Sequence, residues 1–527
     1  MRAIIFLALL LSAQAKATTY YVAPNGSDSN AGTSLSAPFA TPQAGVSAAV
    51  NPGDSVEILG GKVYGGGSGT TAPIILTHSG SGGSTAPGGA CTSPITIEGY
   101  RWGPRPIIAG ASNAGPGGAI TTSSGTNVSC VVLNNLEISG WNGSLTWQSV
   151  SANAAATGNG WKVAAYNSCG IYLSGQVANP SHHIVISNSY IHDWTQCGIG
   201  LVYTDYVTVS NNITTNNGLY SPYQGSNISL FQSQGLDATL TTHNLVTGNW
   251  ASGSINFTPN DQLATTLTTT SAAVSSGSIV IPVTSATGLN YTQVVIDPVG
   301  GCIPPGSVVY YFASTTSIAL NQPTTCSIAS GSAIFTGYAT DGHGIIIDNN
   351  QCTQTSGCTT PYQARTLVQN NITANNGAAG LQANPVSYYV DIAGNTSYLD
   401  QAGAYVIGNS YAPGAIYVQG SIGSTVTGNI IYAGPQVPTL IGWDSLASWS
   451  NNLVFGGIIG NNGHTVPGFA NVSSDPKFIA PSFDPLTSDF RLQSISPAIG
   501  AAGHLFPRSI DYYGVATPNP DSIGASQ

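Results

Sequence analysis

Charge is what this chain has least of. Only 6% of its 527 residues are Asp, Glu, Lys or Arg, against about 25% in an ordinary globular protein. Cations are the scarcer sign: 10 Lys and Arg stand against 20 Asp and Glu, and between Pro106 and Pro476 the only basic side chains are Lys162 and Arg365. A nucleic-acid partner needs a clustered basic face, so that class is excluded. Long apolar runs are also missing. Ile4 to Leu11 is too short to span a bilayer, so no membrane span is expected. Preceded by Arg2 and followed by Ala13-Gln14-Ala15 or Ala15-Lys16-Ala17, it has the form of a signal peptide over residues 1–17. The mature protein is expected to be exported: secreted, on the cell surface or periplasmic. Loss of Arg2 and Lys16 leaves 8 basic against 20 acidic residues, a formal net of −12. Low charge and 65 glycines would suit a disordered chain, but 42% of the residues are hydrophobic and they recur in register, so a core can be buried.

What the chain has in abundance is a returning motif: apolar residues, then Asn, then another apolar or β-branched residue. It appears as Val185-Ile186-Ser187-Asn188, Val209-Ser210-Asn211-Asn212-Ile213, Val246-Thr247-Gly248-Asn249-Trp250 and Val368-Gln369-Asn370-Asn371-Ile372. It continues as Ile392-Ala393-Gly394-Asn395, Val426-Thr427-Gly428-Asn429-Ile430 and Ser450-Asn451-Asn452-Leu453. The steps 188→211, 371→395 and 429→452 are 23, 24 and 23 residues. Short alternating strands at such a period, with no helix between them, predict a parallel β-helix in which each rung pairs with the next. Asn tolerates the left-handed backbone of a tight corner, and stacked Asn amides can bond up the stack. These asparagines are therefore expected to be architecture.

Eight cysteines follow the leader, and an even count in an exported chain predicts disulfides. Cys169-Gly170-Ile171 and Cys197-Gly198-Ile199 hold the same place in successive repeats. Neighbouring strands lie about 4.8 Å apart, within reach of a disulfide. Cys302 pairs with Cys326 inside one segment, Cys352 with Cys358 across a short loop, and Cys91 with Cys130 by elimination.

The predicted order is an N-terminal cap and first part of the coil over 18–262, a small inserted β module over 263–337, the second part of the coil over 338–470 and a C-terminal cap over 471–527. The Ala-rich stretch Gln43 to Val50 suits a short capping helix. The insert breaks the period with alternating runs such as Ser278-Ile279-Val280-Ile281-Pro282-Val283.

The opening Tyr21-Val22-Ala23-Pro24-Asn25-Gly26-Ser27-Asp28, with Ala37-Pro38-Phe39-Ala40-Thr41 and Pro52-Gly53-Asp54, resembles the N-terminus of the pectin-lyase-like right-handed β-helix proteins. The closing Asp475-Pro476, Asp489-Phe490-Arg491-Leu492 and Ser496-Pro497-Ala498-Ile499 resemble their C-terminal region. The resemblance implies an all-β, right-handed parallel β-helix with capped ends. It spans polysaccharide lyases, glycoside hydrolases, epimerases, esterases, tailspikes and adhesins, so it does not fix the reaction.

The resemblance also implies a groove along the first strand of each rung. Alternation turns Ile171, Leu173, Ile345, Ile347, Leu381, Val406, Ile416 and Val418 inward. It turns Tyr172, Ser174, Asp348, Gln382, Asn384, Tyr405, Tyr417 and Gln419 outward. Of these, Tyr172, Gln382, Asn384, Tyr405, Tyr417 and Gln419 suit a sugar surface, with rings to stack on and amides for hydroxyls. The most chemical stretch is Asp341-Gly342-His343-Gly344-Ile345-Ile346-Ile347-Asp348. Asp341 and His343 enter the strand and Asp348 leaves it, about 20 Å apart if the chain is extended. A glycosidase pair needs roughly 5 to 9.5 Å, so the partners of Asp348 are sought in neighbouring rungs. Asp205 and Asp237 follow equivalent strands and are expected at the same corner. Three acids there suit an acid–base pair or a Ca²⁺ site, or simply cap backbone N–H groups. No other cofactor is implied.

The expected partner is a polysaccharide. The scarcity of cations argues against a lyase acting on a polyuronate and for Asp-based hydrolysis of a neutral or weakly charged glycan. A lyase and a non-catalytic adhesin or glycan-binding coil are the alternatives.

Overall fold

The computed structural model describes residues 16–82, 90–112, 115, 117–145, 149–150, 152, 164–221, 225–256, 266–289, 293–297, 301–304, 306–337, 341–350, 361–384, 387–400, 415–418, 421–434, 447–456, 470–503, 508–517 and 520–526. Most of the proposed leader lies outside them, as do Tyr405, Val406, Gln419, Cys352 and Cys358.

Three long sheets, of eleven, ten and eight strands, run the length of the coil. Every strand in them pairs in parallel with the strand one turn away, as in Ile184↔Val207 on the first face, Ile191↔Thr214 on the second and Ile199↔Ile228 on the third. The chain is a right-handed parallel β-helix. Its interior is a stack of one apolar side chain type above another. Ile171, Leu173, Ile199, Leu201, Ile228, Leu230, Ile345, Ile347 and Leu381 line the third face and are at most 1% exposed. Each such burial is worth about 1.5–3 kcal/mol, and this is what the alternating pattern of the sequence encodes.

The corners divide the labour of the asparagines between two adjacent positions. The first position takes the left-handed backbone: Asn188, Asn211, Gly248, Asn370, Gly394, Gly428 and Asn451 all have φ between 53° and 66°. The second position forms the ladder. Asn212 donates to Asn249, Asn249 to Asn371, Asn371 to Asn395, Asn395 to Asn429 and Asn429 to Asn452, each Nδ2–Oδ1 pair at 3.0 Å. Asn188 belongs to the first set, and Ser189 takes its ladder place, donating its N–H to Asn212 Oδ1. A second ladder ends on Asp400, whose buried carboxylate accepts from Asn376, Thr373 and Ser397. Burial pushes the Asp400 carboxyl up to about 6.

A seven-residue helix, Pro42–Ala48, capped by Thr41, covers the N-terminal end. From Thr266 to Gly337 the chain forms two antiparallel three-stranded sheets with their own small core. The chain is pinned on either side of this insert: Asn256 N donates to Asp341 O at 3.0 Å. Disulfides join Cys91 to Cys130, Cys169 to Cys197 and Cys302 to Cys326. No helix among the described residues is long and apolar enough to cross a membrane.

Candidate functional site

The outward side of the third face carries a groove of about 280 Å³ over its four central strands, Cys169–Ser174, Cys197–Val202, Ser226–Phe231 and His343–Asp348. Register sets its columns. Tyr172, Gly200, Ser229 and Ile346 form one, and Ser174, Val202, Phe231 and Asp348 another. Cys169, Cys197, Ser226 and His343 form a third, so the predicted disulfide is also a wall of the groove. Gly200 gives the floor its depth. A Cβ there would sit 2.9 Å from Cys197 Sγ and 3.2 Å from the Tyr172 ring.

Asp341, His343 and Asp348 all line this groove. His343–Asp348 is a single strand, so Asp348 stands at the far end of it from the Asp341–His343 pair, and the chain turns only before it, at Gly342. Gly342 has φ +115°, and a Cβ on it would lie 2.2 Å from Ser254 O, so glycine is required for the bend. The turned backbone lets His343 Nε2 donate to Asp341 Oδ1 at 2.7 Å, while Gly225 N donates to Asp341 Oδ2 at 3.1 Å. With the proton of His343 on Nε2, Nδ1 is left with a lone pair, and this buried atom has no hydrogen-bond partner among the described residues. At the other end of the strand, Asn384 Nδ2 donates to Asp348 Oδ1. Burial raises the Asp348 carboxyl to about 6, against the pull of the Asn384 hydrogen bond and of His343, with Asp341 adding to the rise. Among the described residues lining the groove, none is Lys or Arg.

The expected convergence of Asp205, Asp237 and Asp348 is not what forms. The acids divide into two networks with no shared partner. Asp205 is fully buried and sits where the third face turns into the first. It accepts from Leu236 N at 2.7 Å, the Tyr362 hydroxyl at 2.7 Å, Tyr206 N at 3.0 Å and His243 Nδ1 at 3.0 Å. Asp237 accepts from the Tyr206 hydroxyl and from Thr239, and Thr239 meets His243 Nε2 at 2.6 Å. The Tyr206 ring is stacked between His183 and His243 at 4.6 and 3.9 Å. The reason is local: Asp205 opens a strand of the first face, whereas Asp348 closes one of the third.

Of the expected sugar-binding residues, Tyr172 is half-buried in the groove, and Asn384 is bonded to Asp348. Gln382 and Tyr417 occupy the outward register in line with Ile346 but are only 5% and 3% exposed. Alternation assigns a side of the sheet, and that side is covered here. Tyr405 and Gln419 lie outside the described residues. Sequence reasoning missed Gly200, Gln196, Ser226, Ser229 and Phe231 as lining. The signal was the register itself, since each stands level with a residue that was picked or beside one.

The three long parallel sheets make the fold a parallel β-helix. No family model matches this sequence, and no curated protein matches it. Among solved structures the chain is similar to the pectate lyase Pel9A at 17% identity and a TM-score of 0.46, over 97% of this chain and 96% of that one. It is also similar to a rhamnogalacturonan lyase at 13% identity and a TM-score of 0.38, over 88% and 91% of the two chains. A third is the GH136 lacto-N-biosidase from Eubacterium ramulus, at 14% identity and a TM-score of 0.36, over 86% of this chain and 58% of that one. None of these likenesses assigns an activity to this chain.

Proposed function

We propose that this protein hydrolyses glycosidic bonds of a neutral or weakly charged polysaccharide in the groove of the third face. The carrying observation is a carboxyl raised by burial to about 6, Asp348, in one groove with an Asp341–His343 pair whose Nδ1 has no partner among the described residues. Asp348 protonates the glycosidic oxygen as the bond to the anomeric carbon breaks. The Asp341–His343 pair, lining the same groove, is the candidate for taking a proton from the water that attacks that carbon, with Asp341 holding the imidazole. A protonatable carboxyl and a carboxylate-bound imidazole lining one cleft suit acid and base roles. Tyr172 supplies a ring for a sugar face. The absence of Lys and Arg among the groove's described lining residues favours an uncharged substrate, because a polyuronate would meet no counter-charge there.

A lyase is the second reading, supported by the Asp348–Asn384 pair, which below about pH 6 is neutral and can receive a uronate carboxyl while the Asp341–His343 pair takes the proton α to it and the glycosidic C–O bond breaks to leave a double bond. The three disulfides support an oxidising, exported location.

Purified protein is incubated with a polysaccharide panel, and new reducing ends and unsaturated products are measured separately. New reducing ends without unsaturation, lost in Asp348→Asn, are expected. Unsaturated products would replace hydrolysis by elimination. No cleavage of any polymer, or equal cleavage by Asp348→Asn, would overturn the assignment.

A further inference from the structure

A second cleft lies elsewhere. It has a volume of about 730 Å³ and runs along the second face, between the inserted module and the C-terminal segment Pro481 to Thr487. Its floor is built by successive rungs through Tyr190, Thr215, Ser252, Asn375 and Tyr398. Five rungs at about 4.8 Å spacing span roughly 19 Å, and the volume falls within the usual range for a ligand site.

Both walls are fixed to the coil. Asn321 of the insert donates to Asn375 Oδ1 at 2.9 Å. Phe483 of the C-terminal segment packs on the Tyr398 ring with centroids 5.8 Å apart. Tyr398 is 91% buried, taking its 9% exposure, and its hydroxyl has no hydrogen-bond partner among the described residues. Tyr310, from the insert, brings a second phenol within electrostatic reach of it. This hydroxyl lines the cleft and is open to a hydrogen bond from a ligand there. The two charges on the lining, Arg105 and Asp484, have opposite signs and select for neither sign of ligand.

We propose that this cleft is a second glycan-binding site, taking a neutral oligosaccharide chain whose pyranose faces lie on Tyr190 and Phe483 and whose hydroxyls bond to Tyr398, Tyr310 and Asn375. The rung spacing is close to the length of one pyranose unit, so ring and amide contacts repeat in step with the ligand. The inserted module thereby acquires a role as one wall of the site. The inference stands on these residues and does not require the third-face groove to be catalytic.

Binding is measured by titration calorimetry on Asp348→Asn protein, so that no probe is cleaved. The probes are gluco-, xylo-, manno- and chito-oligosaccharides, with oligogalacturonate as the charged control. Saturable binding of a neutral probe is expected. Phe483→Ala should weaken it about tenfold and Tyr398→Phe about fivefold, as loss of a stacked ring and of one hydrogen bond would. Phe483→Ala in the otherwise unchanged enzyme should leave cleavage of short soluble substrates intact, and circular dichroism confirms that each variant is folded. Binding of the charged control alone, binding of no probe, or neutral binding unaffected by both substitutions would each overturn the proposal. The last result would leave the third-face groove as the only sugar site and its catalytic assignment untouched.

Discussion

Two acid–histidine clusters sit on adjoining parts of the coil, and they differ in what is left over. Around Asp205 almost every valence is used: the carboxylate takes four donors, and His243 is bonded at both ring nitrogens and stacked on Tyr206. Around Asp348 the books do not close. Among the described residues His343 Nδ1 has no partner and the buried Gln382 Oε1 has no donor, and burial raises the Asp348 carboxyl to about 6. The first cluster is finished by folding, whereas the second awaits a ligand. Composition alone does not separate them, since both offer aspartates, a histidine and neighbouring tyrosines. Satisfaction of hydrogen bonds does.

The comparison breaks first at Asp348. Asp348→Asn should lower cleavage by about 10²–10⁴-fold, the contribution of a positioned general acid, with little change in stability. In the parent the rate should fall as pH rises through about 6, where the acid form is lost. A flat profile between pH 5 and 7 would remove Asp348 from the acid role. Asp205→Ala should do the reverse. It removes the acceptor of the Tyr362 hydroxyl and the partner of His243 Nδ1 in the interior and should cost about 3–5 kcal/mol. A marked drop in the urea midpoint is expected, with turnover per folded molecule nearly unchanged. Loss of turnover at unchanged stability would make the closed cluster the catalytic one.

Why the sequence separates these clusters so poorly follows from what each signal carries. Period and alternation report backbone geometry, so the coil, the inward stack from Ile171 to Val418 and the Cys169–Cys197 pairing were legible. The split of Asn370 and Asn371 into a left-handed corner and a ladder rung was half legible, because both roles favour the same residue. The site was less so. The pairing of Asp341 with His343 depended on one backbone angle, at Gly342, which no periodicity shows. His243 and Tyr362 reach Asp205 across 38 and 157 positions, and Tyr362 lies beyond an insertion that resets the spacing. Burial of Gln382 and Tyr417 depends on what covers the sheet, and the strand pattern says nothing of that.

Asp400 tests whether an acid with a raised pKa marks a site or a ladder. Its carboxyl, like that of Asp348, is raised from 3.8 to about 6 by burial, yet its oxygens accept from Asn376, Thr373 and Ser397. A folded pKa above the unfolded one means stability that is complete below pH 4 and lost as pH rises through about 6. The loss for Asp400 is of the order of 3 kcal/mol. Asp400→Asn keeps an acceptor for Asn376, as the ladder does elsewhere, and the hydroxyls of Thr373 and Ser397 can accept from the new amide. The melting temperature of the parent should therefore decline between pH 4 and 7 more steeply than that of Asp400→Asn, and activity should be unchanged. Equal slopes would mean that the carboxylate ionises without cost inside the ladder.

The smallest expected effect sharpens the comparison most, because it adds one methyl group and touches no titrating side chain. Gly200→Ala places a Cβ on the groove floor, 2.9 Å from Cys197 Sγ and 3.2 Å from Tyr172. The strand is held on both sides by parallel neighbours, so the floor cannot sink, and the Tyr172 ring must tilt toward the space a sugar would fill. Overpacking of this kind costs about 1–3 kcal/mol where nothing yields, but here the ring can move into the open groove. The strain should therefore fall on binding more than on folding. KM for the cleaved polymer is expected to rise about tenfold, equivalent to about 1.4 kcal/mol, while kcat and the urea midpoint stay close to those of the parent. A fall in kcat at constant KM would mean that Tyr172 positions the bond to be broken and does more than support a sugar ring. A fall in stability alone would mean that this floor is ordinary packed surface, as closed as the cluster around Asp205.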